Sequence, residues 1–327
     1  MMKMRSPFRR ELLVLLAATL GLGCAPVQAE TQLTVMAFNI YGGGLNDGKS
    51  IDETVAAIKA VNPDIISVSE TRIQSDPCTA DSCPPAGPSI AADLAAALGM
   101  QYHDQTASNP AIWANAVLSR YPITGATPDD LGVDIDVGGR KVTVFSVNLD
   151  DAPYQPYQLL GIEYGNAPFL KTAAEAIAAA EATRGASFDA LLADAKAAEA
   201  AGSEVVLIGG DFNEPSHRDW TDATVAAGLQ PLAVAWPGTS KLEAAGFVDL
   251  FRTAKPDPVA APGMTWTPTT EASDPTDHHD RIDFVFARGP GLKVLEAGVV
   301  GEKAPEADVV VTPWPSDHRA VVAKIAF

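Results

Sequence analysis

From residue 31 onward, short apolar runs recur along the chain and each gives way to polar residues. The runs 33–40, 64–70, 113–120, 142–149, 205–211, 282–287 and 320–325 are of strand length. Most are rich in Val, Ile and Phe and are bounded by Gly, Pro, Asn or Asp, as strands are. Between them the apolar period lengthens. Ile51, Val55, Ile58 and Val61 fall on one face of a helix over 51–61, with Pro63 just beyond its end. Segments 90–98 and 172–201 read as helical too, and Arg184-Gly185 is expected to break the Ala-rich second one in two. No internal repeat and no dividing linker interrupts this alternation, so it predicts one α/β domain over 30–327.

The first 29 residues have a different character. Lys3, Arg5, Arg9 and Arg10 precede an apolar stretch over 12–23, and small residues follow. That order is the order of a secretory signal, and the apolar part is short for a spanning helix. Val27-Gln28-Ala29 fits cleavage after Ala29. A second reading takes Cys24, after Leu22-Gly23, as a lipid acceptor, although Gly21 replaces the bulky aliphatic residue usual there. The expectation is therefore export to a periplasmic or extracellular location, soluble or anchored through Cys24, with no transmembrane helix once the leader is gone. In such a compartment Cys78 and Cys83, in the Pro-flanked CTADSC segment, are expected to form a local disulfide.

Several of the apolar runs end in one carboxylate or carboxamide: Asn39, Glu70, Asn148, and Asp211 with Asn213. Asp283 opens a further run and Asp317-His318 precedes the last. Any one of these is ordinary at a solvated strand terminus. Together they describe a cleft assembled at one edge of a sheet from distant parts of the chain.

The segments MAFNI, PDIISVSET, NAVLSRYPI, VTVFSVNL, GGDFNE, DRIDFVF and PSDHRAV resemble, in order, those of the endonuclease/exonuclease/phosphatase superfamily of metal-dependent phosphoesterases. GDFN and SDHR are specific as a spaced pair. The resemblance implies a four-layer αββα sandwich with two central mixed β-sheets and a site at one end of them. It also implies a metal held by Glu70, Asn39 and Asp317, and a catalytic His318 oriented by Asp283. Asp211 matches the general base, and Asn213 an amide donor to phosphate. Two departures stand out. Asn148 occupies a position where many members carry histidine, and Ser69 precedes Glu70 where glutamine is common.

The residue types support the same chemistry. Hydrolysis of a phosphate ester needs an activated water and stabilisation of equatorial charge, which one hard divalent cation on oxygen ligands supplies. Mg²⁺ or Mn²⁺ is expected, as one or two ions, because no cysteine or histidine set suits zinc. A carboxylate beside His318 favours the imidazolium. Alternation along an extended chain would aim Asp211 and Asn213 the same way. Asn148 can donate a hydrogen bond but cannot shuttle a proton near neutral pH.

Tyr154, Tyr157 and Tyr164 are expected to line a pocket wall and Asp150 and Asp151 to extend the metal site, while one of His278 and His279 is expected to touch phosphate or a second metal. Arg72 and Arg281 are the cations expected nearest a phosphate oxygen. Lys and Arg number 23 against 41 Asp and Glu, a net −18. Loss of the leader, with its four basic residues and Glu11, takes this to −21. So acidic a surface repels a polyphosphate backbone and disfavours extended non-specific duplex binding. The leading expectation is an exported monomer acting by direct water attack on a small or lipid-linked phosphate ester. A secreted nuclease is the alternative, and a catalytically weakened phosphate-binding protein on the same scaffold is the alternative of another class.

Overall fold

The computed structural model describes residues 30–73, 88–105, 114–164 and 166–327, together with Met1. It divides into two units, Met1–Glu30 and Thr31–Phe327, and the fold is that of the second. The expected leader, Cys24 and the Cys78/Cys83 pair lie outside the described residues.

Thirteen strands build two mixed sheets among the described residues. They are β1 (Gln32–Asn39), β2 (Ile65–Ser69), β3 (Gln101–Asp104), β4 (Ala116–Ser119), β5 (Ile123–Ala126), β6 (Gly132–Val137) and β7 (Arg140–Asn148). There follow β8 (Val205–Asp211), β9 (Val248–Asp249), β10 (Asp283–Arg288), β11 (Lys293–Gly301), β12 (Val309–Val310) and β13 (Ala320–Ala326). One sheet runs β12-β11-β13-β1-β2-β4-β3 and the other β5-β6-β7-β8-β10-β9.

Side-chain alternation turns these sheets into layers. Val35 and Ala37 of β1 meet Val205 and Leu207 of β8 in the core between the sheets. Their neighbours Met36 and Phe38 face outward, onto Val55 and Ile58 of the helix Ile51–Val61 and Leu94 of Ala91–Leu98. Val206 and Ile208 face the opposite way, onto Phe188 and Leu191 of the helix Ala173–Ala200. The result is the expected four-layer αββα sandwich.

The helix Ile51–Val61 forms over the expected span, capped by Ser50, whose hydroxyl accepts from the Asp52 N–H. The Ala-rich segment does not break at Arg184-Gly185: Ala173–Ala200 is one helix of 28 residues. A mid-helix glycine costs only about 1 kcal/mol, and tertiary contacts hold the backbone there. The buried Arg184 guanidinium reaches Glu214 at 3.5 Å and the Asp150 carbonyl at 2.8 Å.

Pairing register sets the site. In the second sheet Asp211 pairs with Asn148 on one side and Asp283 on the other. In the first, Asn39 pairs with Ser69, directly before Glu70, and β13, entered from Asp317-His318, pairs antiparallel with β1. The termini of six strands thus carry their polar residues to the same end of the sandwich. At Gly210, φ is +138°, and an added Cβ would stand 2.0 Å from the Val147 carbonyl oxygen. The glycine of GGD therefore lets β8 pack against β7 just below the site.

Candidate active site

A cleft of about 530 Å³ opens at this end of the sheets, and Glu70, Asn148, Asp211, Asn213, Asp317 and His318 are among its lining. Asn39 and Asp283 lie beneath them, each 0% exposed. Asn39 Nδ2 donates to Glu70 Oε1 at 2.9 Å and to Asp211 Oδ2 at 3.0 Å. His318 bridges the two sheets: Nδ1 is 2.8 Å from Asp283 Oδ2, and Nε2 is 3.6 Å from Asp211 Oδ2. The Asp211–imidazole–Asp283 line is therefore continuous with Asn39 and Glu70.

The surroundings shift these groups strongly. Burial lifts the Glu70 carboxyl to about 7, and the Asp317 carboxylate adds to it against the pull of His318 and Asn39. Burial also raises Asp317. Asp211 rises to about 8, mainly through burial, with Asp283 and Glu70 opposing its ionisation and His318 favouring it. Burial works against a charge on His318, but Asp283 and Asp211 outweigh it and hold the imidazole well above 6.5. Carboxylates crowded together in the interior rise in this way, and an imidazole held between them rises with them.

The donor set accommodates a hard cation. Glu70 Oε2 is buried with no hydrogen-bond partner, beside a second carboxylate, Asp317, that raises its pKa. Two crowded oxygen ligands short of positive charge suit Mg²⁺ or Mn²⁺. Asp211, Asp283 and His318 present ligand atoms within 4.8 Å of one another, a second group that could bind a metal. Asn39 enters differently from expectation. Its amide nitrogen serves two carboxylates while Oδ1 accepts the Tyr41 N–H at 3.2 Å.

A model of the endonuclease/exonuclease/phosphatase family matches residues 36–318. The chain belongs to this family. Its members are metal-dependent phosphoesterases, nucleases and phosphatases, and this chain is an ester-bond hydrolase of that kind. An uncharacterized protein of Caenorhabditis elegans is 28% identical over 312 residues, covering 90% of this chain and 91% of its own length. Among solved structures, an endonuclease/exonuclease/phosphatase from Beutenbergia cavernae is 21% identical, with a TM-score of 0.51 over 90% of this chain and 71% of that one. A Neisseria 3′ phosphatase bound to a product DNA hairpin is 17% identical, with a TM-score of 0.52 over 89% and 98%. An AP endonuclease from Archaeoglobus fulgidus is 16% identical, with a TM-score of 0.50 over the same shares. At these identities the structural likeness establishes the shared fold.

Other expected residues divide into two groups. Tyr154, Tyr157, Tyr164, Asp150 and Asp151 do line the cleft. Arg72, Arg281, His278 and His279 do not. Glu70 adopts φ +55°, which ends the strand alternation that would have set Arg72 on its side, and Arg72 is buried at 4% exposure. Arg281 spends its guanidinium on Asp219 and Asp249, both at 2.8 Å, in the interior. His278 Nε2 meets Gln230 Oε1 at 2.8 Å and His279 Nε2 meets Thr270 Oγ1 at 3.0 Å. Asp211 and Asn213 reach the cleft together, but not by pleat alternation. Asn213 sits at φ +49°, and its N–H folds back onto Asp211 Oδ1 at 2.9 Å, an Asx-type turn. Its side-chain amide donates to the Leu149 carbonyl at 2.9 Å.

Sequence reasoning missed three supporting groups. Ser316 Oγ donates to the Asn39 carbonyl at 2.7 Å and accepts the His318 N–H at 3.1 Å, joining the segments that carry Asn39 and Asp317. Thr265 Oγ1 accepts the Asp283 N–H at 3.0 Å. The Trp266 ring lies 4.8 Å from the His318 ring and lines the cleft. Ser316 carried a signal, as the first letter of SDHR; Thr265 and Trp266 carried none, and isolated backbone bridges from Trp266 to Asp280 and His318 bring them in.

Proposed function

We propose that the protein is an exported, divalent-metal-dependent phosphoesterase that hydrolyses a small or lipid-linked phosphate ester by direct attack of water. The observation that carries this reading is the continuous line from Glu70 through Asn39 and Asp211 to His318 and Asp283, ending in an unpartnered buried carboxylate oxygen. Glu70 and Asp317 would hold Mg²⁺ or Mn²⁺, which supplies charge stabilisation to the phosphoryl oxygens.

The remaining work falls to the chain's own side chains. Asp211, kept basic by burial, orients the attacking water and takes its proton. His318, held cationic between two carboxylates, offers Nε2–H to a phosphoryl oxygen. Asp283 fixes the ring through Nδ1. Asn148 and Asn213 line the cleft as neutral amides that orient the ester. With no imidazole at 148 to protonate the leaving oxygen, turnover depends steeply on the leaving group.

The basic, apolar and small order of residues 1–29 supports export, and the net charge of −18 favours small esters over a polynucleotide. The test is a phosphate-ester screen after chelation, with Mg²⁺, Mn²⁺, Ca²⁺ or Zn²⁺ restored singly and single- and double-stranded DNA run beside it. Turnover of small esters restored by Mg²⁺ or Mn²⁺ is the expected result. Rapid DNA cleavage with no small-ester turnover would reverse the substrate assignment in favour of a nuclease.

A further inference from the structure

The helix Ala173–Ala200 turns one face inward, and Ala180, Arg184 and Phe188 follow one another along it at intervals of four, each at most 1% exposed. An apolar side chain in the middle slot would fill it without giving up hydration, whereas a buried guanidinium has to be solvated by the protein. Burial works against the Arg184 charge, and Glu214 favours it. That ion pair is long, with Nε 3.5 Å from Glu214 Oε2, and Glu214 Oε1 is taken by the Gly238 N–H at 2.6 Å. A single pair of this kind adds little that a leucine would not. The distinctive use of the guanidinium lies in its other donors.

Those donors run to the cleft wall. Nη1 donates to the Asp150 carbonyl at 2.8 Å and Nη2 to Gln155 Oε1. The Gln155 amide in turn donates to the Pro153 carbonyl at 2.8 Å and to Thr183 Oγ1 at 3.2 Å. Residues 150–153 belong to no helix or strand, and among the described residues no backbone–backbone hydrogen bond reaches them. Yet this stretch carries Asp150 and Asp151 and leads into Tyr154, all of which line the cleft. Its near end is tied to the site, since the Leu149 carbonyl accepts from Asn213 Nδ2 at 2.9 Å. At its far end the Tyr154 hydroxyl donates to Asp280 at 2.8 Å. Between these ties the wall hangs on the planar fork of Arg184, where the rest of the site is held by sheet register.

We infer that Arg184 is a positioning residue for the cleft, fixing residues 150–155 as its wall from the helix behind them. The inference rests on the phosphoester hydrolysis proposed above. Arg184 itself does not line the cleft, so it acts only through the wall. Its loss frees the wall and leaves the line from Glu70 to Asp283 in place. The part of an ester that lies against the wall is then held less well, while bond breaking at phosphorus is unaltered, so KM rises and kcat is kept. Charge alone does not suffice, because a lysine ammonium has no rigid fork to span the Asp150 carbonyl and Gln155 together.

Two variants test it. Arg184→Lys keeps a cation beside Glu214, and Arg184→Met with Glu214→Gln removes both charges so that neither is stranded. Methyl p-nitrophenyl phosphate and bis(p-nitrophenyl) phosphate, at fixed Mg²⁺ or Mn²⁺, share a leaving group and differ in the bulk presented to the wall. KM for the larger ester should rise about tenfold in both variants, with KM for the smaller ester and kcat for both within about threefold of wild type. The Leu149 and Gln158 amides, which bond to Asp211 and Tyr154 at the two ends of the wall, should exchange hydrogen about tenfold faster, with β1 and β13 unchanged. If the double variant does not fold, Arg184→Lys carries the comparison. A wild-type KM for the larger ester in Arg184→Lys, or an equal loss on both esters, overturns the inference and leaves hydrolysis standing. No turnover of either ester by wild type overturns the hydrolytic reading. Exchange at the two amides then decides the positioning alone, with unchanged rates counting against it.

Discussion

Glu70→Gln separates the cost of assembling the site from the use made of it. In the metal-free protein Glu70 is held at about 7 rather than 4.5, first by burial and then by Asp317. A carboxyl whose folded pKa is raised binds its proton more tightly folded than unfolded. Stability therefore declines as pH climbs from 4.5 toward 7, and the loss is complete above 7. The difference amounts to about 3 kcal/mol. Glutamine keeps an acceptor for Asn39 Nδ2 and offers N–H donors to Asp317 while removing the charge. For a domain of this length, unfolding entropy converts that gain into a Tm rise of about 5 °C. The assay is thermal unfolding of wild type and variant in chelator at pH 5 and pH 8, repeated with Mg²⁺ or Mn²⁺. The expected variant is more stable than wild type at pH 8 without metal, with the gap narrowing toward pH 5. Wild type should gain Tm from added metal by mass action, and the variant should lose most of that gain along with its activity. A variant less stable than wild type at pH 8 in chelator, or a gap independent of pH, would refute the reasoning.

Three further outcomes follow from the same geometry. His318→Ala and Asp211→Ala should each lower kcat by at least about 10²-fold, the scale of proton-transfer and phosphate-contact groups, with circular dichroism unchanged; wild-type rates in both would remove these assignments. Asn148→His should raise kcat/KM for alkyl esters more than for p-nitrophenyl esters, because a new acid helps most where the leaving oxygen is basic; an equal change on both classes would show that leaving-group protonation does not limit the rate. Asp249 is held below 3.8 because Arg281, by its charge and hydrogen bonds, outweighs the opposing effect of burial, so its contribution is present above the ordinary carboxylate range and is lost only as pH falls through the lowered value. Asp249→Asn should therefore cost about 3 kcal/mol at pH 7 by stranding part of the Arg281 charge, and denaturant titrations should show the gap closing only below pH 3.8.

The layers were legible because each rests on a local rule. Met36 and Phe38 alternate with Val35 and Ala37, and that alternation alone assigns them to opposite faces. The expected strands are those buried on both sides. The strands without an expectation are weaker in pattern: β5 is almost wholly outside the core, and β11 begins with four residues exposed or half-buried. Arg184-Gly185 misled for a related reason. Glycine lowers helix propensity locally, whereas the contacts that restrain it come from Glu214 and Asp150, about thirty residues away.

The site shows the same division at the level of single groups. Asn39, Glu70, Asp211, Asp283 and His318 could be read as converging because each is a polar residue tied to a strand, and sheet register brings strand ends together whatever else the chain does. Arg281, His278 and Arg72 carry equally suggestive side chains, but no register rule governs where their charge is spent. Arg281 illustrates the difference. Its neighbour Ile282 lines the cleft, yet a guanidinium buried at 1% exposure must be compensated on the spot, and Asp219 and Asp249 do so. That leaves the cleft without a permanent cation among its described lining residues. Under the proposed function, charge compensation for a bound phosphate falls to the imidazolium and to the metal that Glu70 and Asp317 would hold. The interior demand of one arginine therefore bears directly on the class of ester the cleft can accept.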